Sequence, residues 1–319
     1  MTMKSATVAT WLFMLGAVVV LAQTPRQVSL VITNGIVVTM DGGNRIINLG
    51  AVAIDGGDIV AVDTADNVRR QFRGRQTIDA TGQVVMPGLV NTHTHAPMVL
   101  YRGLADDLAL DEWLTKYIFP AEAKTVSPEF VRAGTRLAAL EMIESGTTTY
   151  ADMYYFEEEV AKETKAAGLR GVLGQTVIQF PVADAKTPAE GLARAERFIQ
   201  AFKNDPLITP AVAPHAIYTN DSATLKAARE MSTRLGVPTL IHVAETQSEA
   251  MTAKERGSAT VVSYLDSIGF LGPGVVAAHA VWVNDTDMAL LKSRGVGVSH
   301  NPVSNMKLAS GCRWRASCC

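Results

Sequence analysis

From Gly88 onward the chain repeats one rhythm: a short, nearly unbroken apolar run, then a longer stretch with apolar residues three or four apart. The pattern predicts strands at 88–93, 147–152, 170–178, 207–215, 238–243, 275–279 and 296–300. Between them it predicts helices at 128–145, 156–167, 188–203, 221–235, 247–255 and 285–293. Ser127-Pro128-Glu129 reads as a helix start, and Gly168, Gly236 and Gly295 read as helix ends. Apolar strands alternating with helices imply a parallel sheet covered by helices, hence an α/β protein. Seven strands are counted, where a closed (β/α)8 barrel has eight. A doubly wound open sheet would give the same alternation. However, no G-x-G-x-x-G or G-x-x-x-x-G-K-[ST] pattern follows the first parallel strand, which weakens a nucleotide-binding reading.

Before Gly88 the rhythm differs. From Val28 to Val85 short β-branched runs are broken by glycine and aspartate, and Asn34-Gly35, Asp41-Gly42 and Gly56-Gly57 read as hairpin or tight-turn dipeptides. This predicts a small β module over 23–85. Ahead of it, "MTMKSATVATWLFMLGAVVVLAQTP" has Lys4, an apolar run from Val8 to Leu21 and the small-residue site Val20-Leu21-Ala22. That order reads as a signal peptide over 1–22, the apolar run being shorter than the ~20 residues of a membrane-spanning helix. Export to the periplasm or beyond follows as an expectation, with no stable membrane span once the leader is removed. The barrel then covers 86–311, and 312–319 forms an aberrant tail.

Composition narrows the partners. The formal net charge of −2, from 29 basic and 31 acidic residues, gives no electrostatic footprint for nucleic acid or an anionic membrane. A small-molecule substrate is expected, and homo-oligomerisation stays open. All three cysteines, Cys312, Cys318 and Cys319, fall in the last eight residues, so the body has no disulfide framework.

The six histidines, His93, His95, His215, His242, His279 and His300, all fall at or just past the end of a predicted strand. In a parallel barrel those ends form the one face where active sites are built. A lone histidine there is usually a satisfied core or surface residue. His93 and His95 are different, because residues i and i+2 of a strand point to the same face and can converge on one ion, joined by His242. Glu245, three residues past His242, stands where a carboxylate can shuttle a proton. His279 stands where it can orient water or stabilise a developing tetrahedral centre.

The segments "PGLVNTHTHAPMVLYRGLADDL", "SGTTTYADMYY", "HVAET" and "SHNPVSNMKLASG" closely resemble the metal-dependent amidohydrolase superfamily. Within it they are most similar to the 5-methylthioadenosine/S-adenosylhomocysteine deaminases and triazine-type hydrolases. The resemblance implies a (β/α)8 TIM barrel with a small β-sandwich built from both chain ends. It also implies one divalent ion, zinc or iron, held by the H-x-H pair, the histidine of the fifth strand and an aspartate after the eighth. His93, His95 and His242 match ligands. Glu245 matches the acid that protonates the substrate ring, and His279 the residue that assists the attacking water. Glu122 in "FPAEAK" and His215 in "APHAIYT" stand where the adenosine-type branch holds the ribose. The implied reaction is hydrolytic deamination of an adenosine derivative or a related aza-aromatic compound. A triazine-type amino- or chlorohydrolase is the alternative within this chemistry.

Two departures qualify this. "GVLGQTVIQFPVADAKTP" offers no arginine for a carboxylate-bearing tail. After "SHNPVSNMKLASG" the chain gives "CRWRASCC" where the family continues to its eighth strand and aspartate; C-x5-C-C is not a recognised ligand spacing. The reading is therefore of an incomplete barrel whose first and seventh strands keep unpaired edges, with very low activity. A catalytically inactive fragment is the alternative, and a small-molecule binding protein a third. The role of His300 is left open.

Overall fold

A computed structural model describes residues 24–311. The leader read at 1–22 and the cysteine-bearing tail lie outside the described residues. The chain divides into two compact units with the break between Pro87 and Gly88.

The first unit is a five-stranded mixed sheet built on β1 (Arg26–Val38), β2 (Ile46–Asp55), β3 (Asp58–Thr64), β4 (Phe72–Asp79) and β5 (Val84–Val85). β1 pairs antiparallel with β2 and parallel with β4 and β5, while β3 adds to β2. Val28, Val31, Ala51 and Ala53 pack on Ala65 and Val68. Those last two come from a helix, Ala65–Gln71, that the β-branched pattern does not announce; Thr64 caps it by accepting the Asn67 N–H at 3.3 Å. Gly56-Gly57 does join β2 to β3. Asn34-Gly35 does not turn the chain: it lies inside β1, where the register with β2 slips on both sides of Gly35. Asn34 takes a φ of 65° there, and a Cβ on Gly35 would sit 2.7 Å from Val85 Cγ2. The dipeptide's tolerance of left-handed backbone serves a bulge rather than a hairpin.

The second unit carries seven parallel strands: β6 (Leu89–Thr94), β7 (Thr147–Tyr154), β8 (Arg170–Val177), β9 (Ile208–Pro214), β10 (Thr239–Val243), β11 (Val275–His279) and β12 (Gly297–Ser299). They pair in chain order from β6 to β12, the arrangement of a (β/α) barrel rather than of a doubly wound sheet. Helices Pro128–Glu144, Glu157–Ala167, Pro188–Phe202, Ser222–Leu235 and Asp285–Ser293 connect them. Ser127, Thr187, Asp221 and Asn284 cap four of these by accepting a first-turn N–H. Gly168 and Gly236 end helices in the left-handed conformation that glycine adopts without steric cost. Helices Val261–Ser267 and Pro302–Lys307 were not predicted.

The expectation of two unpaired edges needs one refinement. β6 and β12 are not paired as strands, yet Thr92 Oγ1 of β6 lies 2.6 Å from Ser299 Oγ of β12. The sheet thus curls until its first and last strands meet through a single pair of hydroxyls. No helix among the described residues is long and apolar enough to cross a membrane.

Candidate metal centre

His93 is the fifth residue of β6, and His95 follows the strand end. Their rings stand nearly perpendicular with centroids 4.9 Å apart, and the His242 ring of β10 lies 4.9 Å from that of His93 and 5.2 Å from that of His95. One nitrogen from each of His93, His242 and His279 falls within 4.8 Å of the others. Of the sequence-predicted ligands, His93 and His242 fall in this group together with His279, while His95 approaches it through His242.

Ring tautomers follow from the hydrogen bonds. His95 Nδ1 is 2.6 Å from the carbonyl oxygen of Met153, and His242 Nδ1 is 2.8 Å from that of His215. A carbonyl only accepts, so both Nδ1 atoms carry the proton and both Nε2 atoms present bare lone pairs. Those two Nε2 atoms are 3.2 Å apart. Two unprotonated lone pairs at that distance cannot bond to each other, but they suit a cation between them. Ring N–H groups donated to backbone carbonyls are also how metal-binding histidines are oriented. Burial holds His93 and His242 well below the ordinary imidazole range and depresses His95, while it lowers His215 to about 3. All four therefore stay in the neutral form that binds metal. This donor set fits a divalent ion.

Glu245 is 3% exposed, on the loop leaving β10. Burial, reinforced by the negative charge of Glu249, pushes its carboxyl up to about 8. Its Oε1 lies 3.6 Å from Nε2 of His279. The His279 Nδ1 contacts Asn305 Oδ1 at 2.8 Å, and burial lowers this ring to about 4. Ala244, His279 and Ala280 have φ values of 49°, 75° and 47°. Such left-handed non-glycine residues cost on the order of 1–3 kcal/mol each and cluster at functional sites. Glu249, whose carboxylate accepts the backbone N–H groups of Ala244, Glu245 and Thr246 at 3.1, 2.7 and 3.1 Å, holds one of these turns in place.

Glu122 is buried in the helix Phe119–Thr125, which follows a π-helical turn, Trp113–Ile118. The Tyr154 and Tyr155 hydroxyls donate to it at 2.8 and 3.4 Å, and burial nonetheless raises its carboxyl to about 7. Tyr154 also lies 6.5 Å, ring to ring, from His95, linking Glu122 to the histidines. The His215 ring is 4.6 Å from that of His242, and its Nδ1 is 3.0 Å from Thr219 Oγ1. His300 follows β12 and adds to the repulsion that keeps His279 neutral. Sequence reasoning assigned no part to Met153, Asp152, Glu249 or Asn305. Of these, only Glu249 had a local signal, a second buried-type carboxylate four residues after Glu245.

Fold and site together define a (β/α)-barrel protein with a histidine-rich candidate metal site at the strand ends. The model of the Amidohydrolase family matches residues 84–316, and the chain belongs to this family. It is 47% identical over 285 residues to a 5-methylthioadenosine/S-adenosylhomocysteine deaminase of Syntrophobacter fumaroxidans, covering 89% of this chain and 65% of that one. It is 45% identical over 284 residues to a 5'-deoxyadenosine deaminase of Methanosarcina mazei, covering 88% and 64%. The crystal structure of an adenosine deaminase from Xanthomonas campestris with bound zinc superposes with a TM-score of 0.87 at 38% identity, covering 90% of this chain and 66% of that one. The chain thus spans just under two thirds of the length of these curated relatives.

Proposed function

We propose that this chain carries the metal site of a hydrolase that deaminates an adenosine derivative, with zinc as the ion. The observation that carries this is the pair of bare Nε2 atoms of His95 and His242, 3.2 Å apart, beside a carboxyl that stays protonated at neutral pH. His93, His95 and His242 would hold the ion. When bound there, a divalent ion supplies a Lewis acid that makes water a nucleophile near neutral pH.

The remaining work falls to side chains. Glu245, its carboxyl at about 8, holds a proton on Oε to deliver to a ring nitrogen of the purine as ammonia leaves. His279, neutral and with Nε2 turned toward Glu245, is set to take a proton from the attacking water and pass it to the exocyclic amino group, which leaves as ammonia. Glu122 and His215 lie where a ribose would be gripped, and the tyrosine hydroxyls orient Glu122 for its sugar hydroxyls. The lack of an arginine in "GVLGQTVIQFPVADAKTP" favours derivatives with a neutral 5′ substituent over one ending in a carboxylate. Export forms part of the proposal on the leader pattern alone, and fractionating cells that express the full chain tests it.

The deciding experiment is ammonia release by the purified chain, with and without added zinc, from 5′-methylthioadenosine, 5′-deoxyadenosine and S-adenosylhomocysteine. Zinc-dependent release, strongest with the first two, supports the proposal. A second reading, metal binding without turnover, is favoured by one observation: the cluster among the described residues that could hold an ion, His93, His242 and His279, consists of histidine alone. Stoichiometric zinc with no ammonia from any of these compounds would establish that reading instead.

A further inference from the structure

One buried cluster beside the histidines has no part in that scheme. Asp152, on β7, is 1% exposed, and Glu157, opening the next helix, is 0% exposed. Asp152 Oδ1 accepts the Thr94 hydroxyl at 2.6 Å and the Ala96 backbone N–H at 2.5 Å. These are the two neighbours of His95. The residue after Asp152, Met153, takes the His95 ring N–H on its carbonyl. Two consecutive residues of β7 therefore grip His95 on both sides and through its ring.

Glu157 braces this grip from behind. Its Oε1 accepts the backbone N–H of Tyr154 at 2.7 Å, fixing the end of the same strand. The other oxygens, Asp152 Oδ2 and Glu157 Oε2, are buried without a hydrogen-bond partner, and the two carboxyls interact electrostatically. Burial raises both carboxyls above their ordinary range.

We propose that Asp152, backed by Glu157, is a positioning residue that presents His95 Nε2 to the bound cation. The inference rests on reading His93, His95 and His242 as the ligand set. Among the described residues β6 pairs with β7 alone, and it is from β7 that Asp152 and Met153 brace His95.

The test is zinc affinity, measured on the metal-stripped full chain by competition with a chromophoric chelator, beside the melting transition of each metal-free variant. Asp152→Asn keeps an acceptor for Thr94 and Ala96 but replaces a carboxylate oxygen by a weaker neutral one, so zinc affinity should fall about 10–100-fold. Unchanged affinity in Asp152→Asn overturns the proposal, as does an affinity lost only in step with a lowered melting transition. If Asp152→Asn does not fold, Thr94→Val decides. It removes one of the two donors, and weakened zinc binding with a parent-like melt supports the proposal while unchanged binding overturns it. A parent chain that binds no zinc overturns the ligand reading itself, and this inference with it; tight parent binding untouched by either variant overturns the inference alone.

Discussion

The middle and the ends of the seven-stranded sheet follow the same βα rhythm but are buried very differently. Leu173 of β8, Val212 of β9, Ile241 of β10 and Ala277 of β11 are all 0% exposed, whereas Leu89 and Val90 of β6 are 52% and 60% exposed and Val298 of β12 is 42% exposed. The candidate metal site straddles this divide. His242 sits on a central strand and needs little support, because the His215 carbonyl accepts both its backbone N–H, at 2.9 Å, and its ring N–H. His93 and His95 sit on or beside a terminal strand, where Asp152, Met153 and the Thr92–Ser299 hydroxyl contact supply the bracing. A ligand on a central strand is thus held by the sheet, and a ligand on a terminal strand by side chains reaching across from its neighbour.

The largest effect should come from core truncation. Leu173→Ala removes a fully buried side chain from a central strand, and should cost about 2–5 kcal/mol in urea unfolding. Were this variant as stable as the parent, the contrast in burial would carry no energetic weight.

Removing a ligand comes next. His242→Ala should weaken zinc binding by about 100-fold or more, beyond the range typical of residues that only orient a ligand, because it deletes a lone pair from the donor set. His93→Ala should do the same if the three form one site. A His93→Ala chain with parental zinc affinity would leave the terminal strand outside the metal centre and break the comparison.

The two buried carboxyls sharpen it through pH. Unfolded glutamates titrate near 4.5, while Glu122 is raised to about 7 and Glu245 to about 8. Between 4.5 and the raised value the folded chain keeps a proton that the unfolded chain has released. Each group therefore makes stability fall as pH rises, at a slope of about 1.4 kcal/mol per pH unit. The depressed histidines act oppositely, favouring the folded state as pH rises toward 6.5, and cease to matter above it. From pH 7 to 8 the decline in the metal-free chain should therefore come from Glu245 more than from Glu122. Glu245→Gln should lessen it more than Glu122→Gln does, a remainder coming from Glu157, whose carboxyl burial also raises, as urea unfolding across this window would reveal.

Much of this site was legible in the sequence because its signals are local. The strand rhythm, the H-x-H pair and the carboxylate three residues past His242 each occupy a few consecutive positions, and the chain's family membership supplies the rest of the frame. The supports were not legible. Asp152 meets Thr94 and Ala96 across more than fifty positions, and Asn305 meets His279 across 26; only the curled parallel sheet brings them together. Asn34-Gly35 misled for another reason, since a left-handed residue followed by glycine suits a hairpin turn and a bulge equally well. The stretch from Ala96 to Thr125 mixes 3-10, π and α turns, so its apolar residues follow no single period.

The smallest effect is expected at the sheet's first strand. Val90 is 60% exposed, so Val90→Ala should change unfolding free energy by no more than about 0.5 kcal/mol, against the several lost at Leu173. Amide exchange can tell whether that tolerance reflects a loose strand or merely an uncovered one. If β6 opens independently, its amides should exchange at least about tenfold faster than those of β10, and adding zinc should slow them, because closing the histidines on an ion ties β6 to β10. If β6 and β10 exchange together with and without zinc, the Asp152 brace already makes the terminal strand as fixed as the central one. The difference in burial would then be one of exposure, not of rigidity.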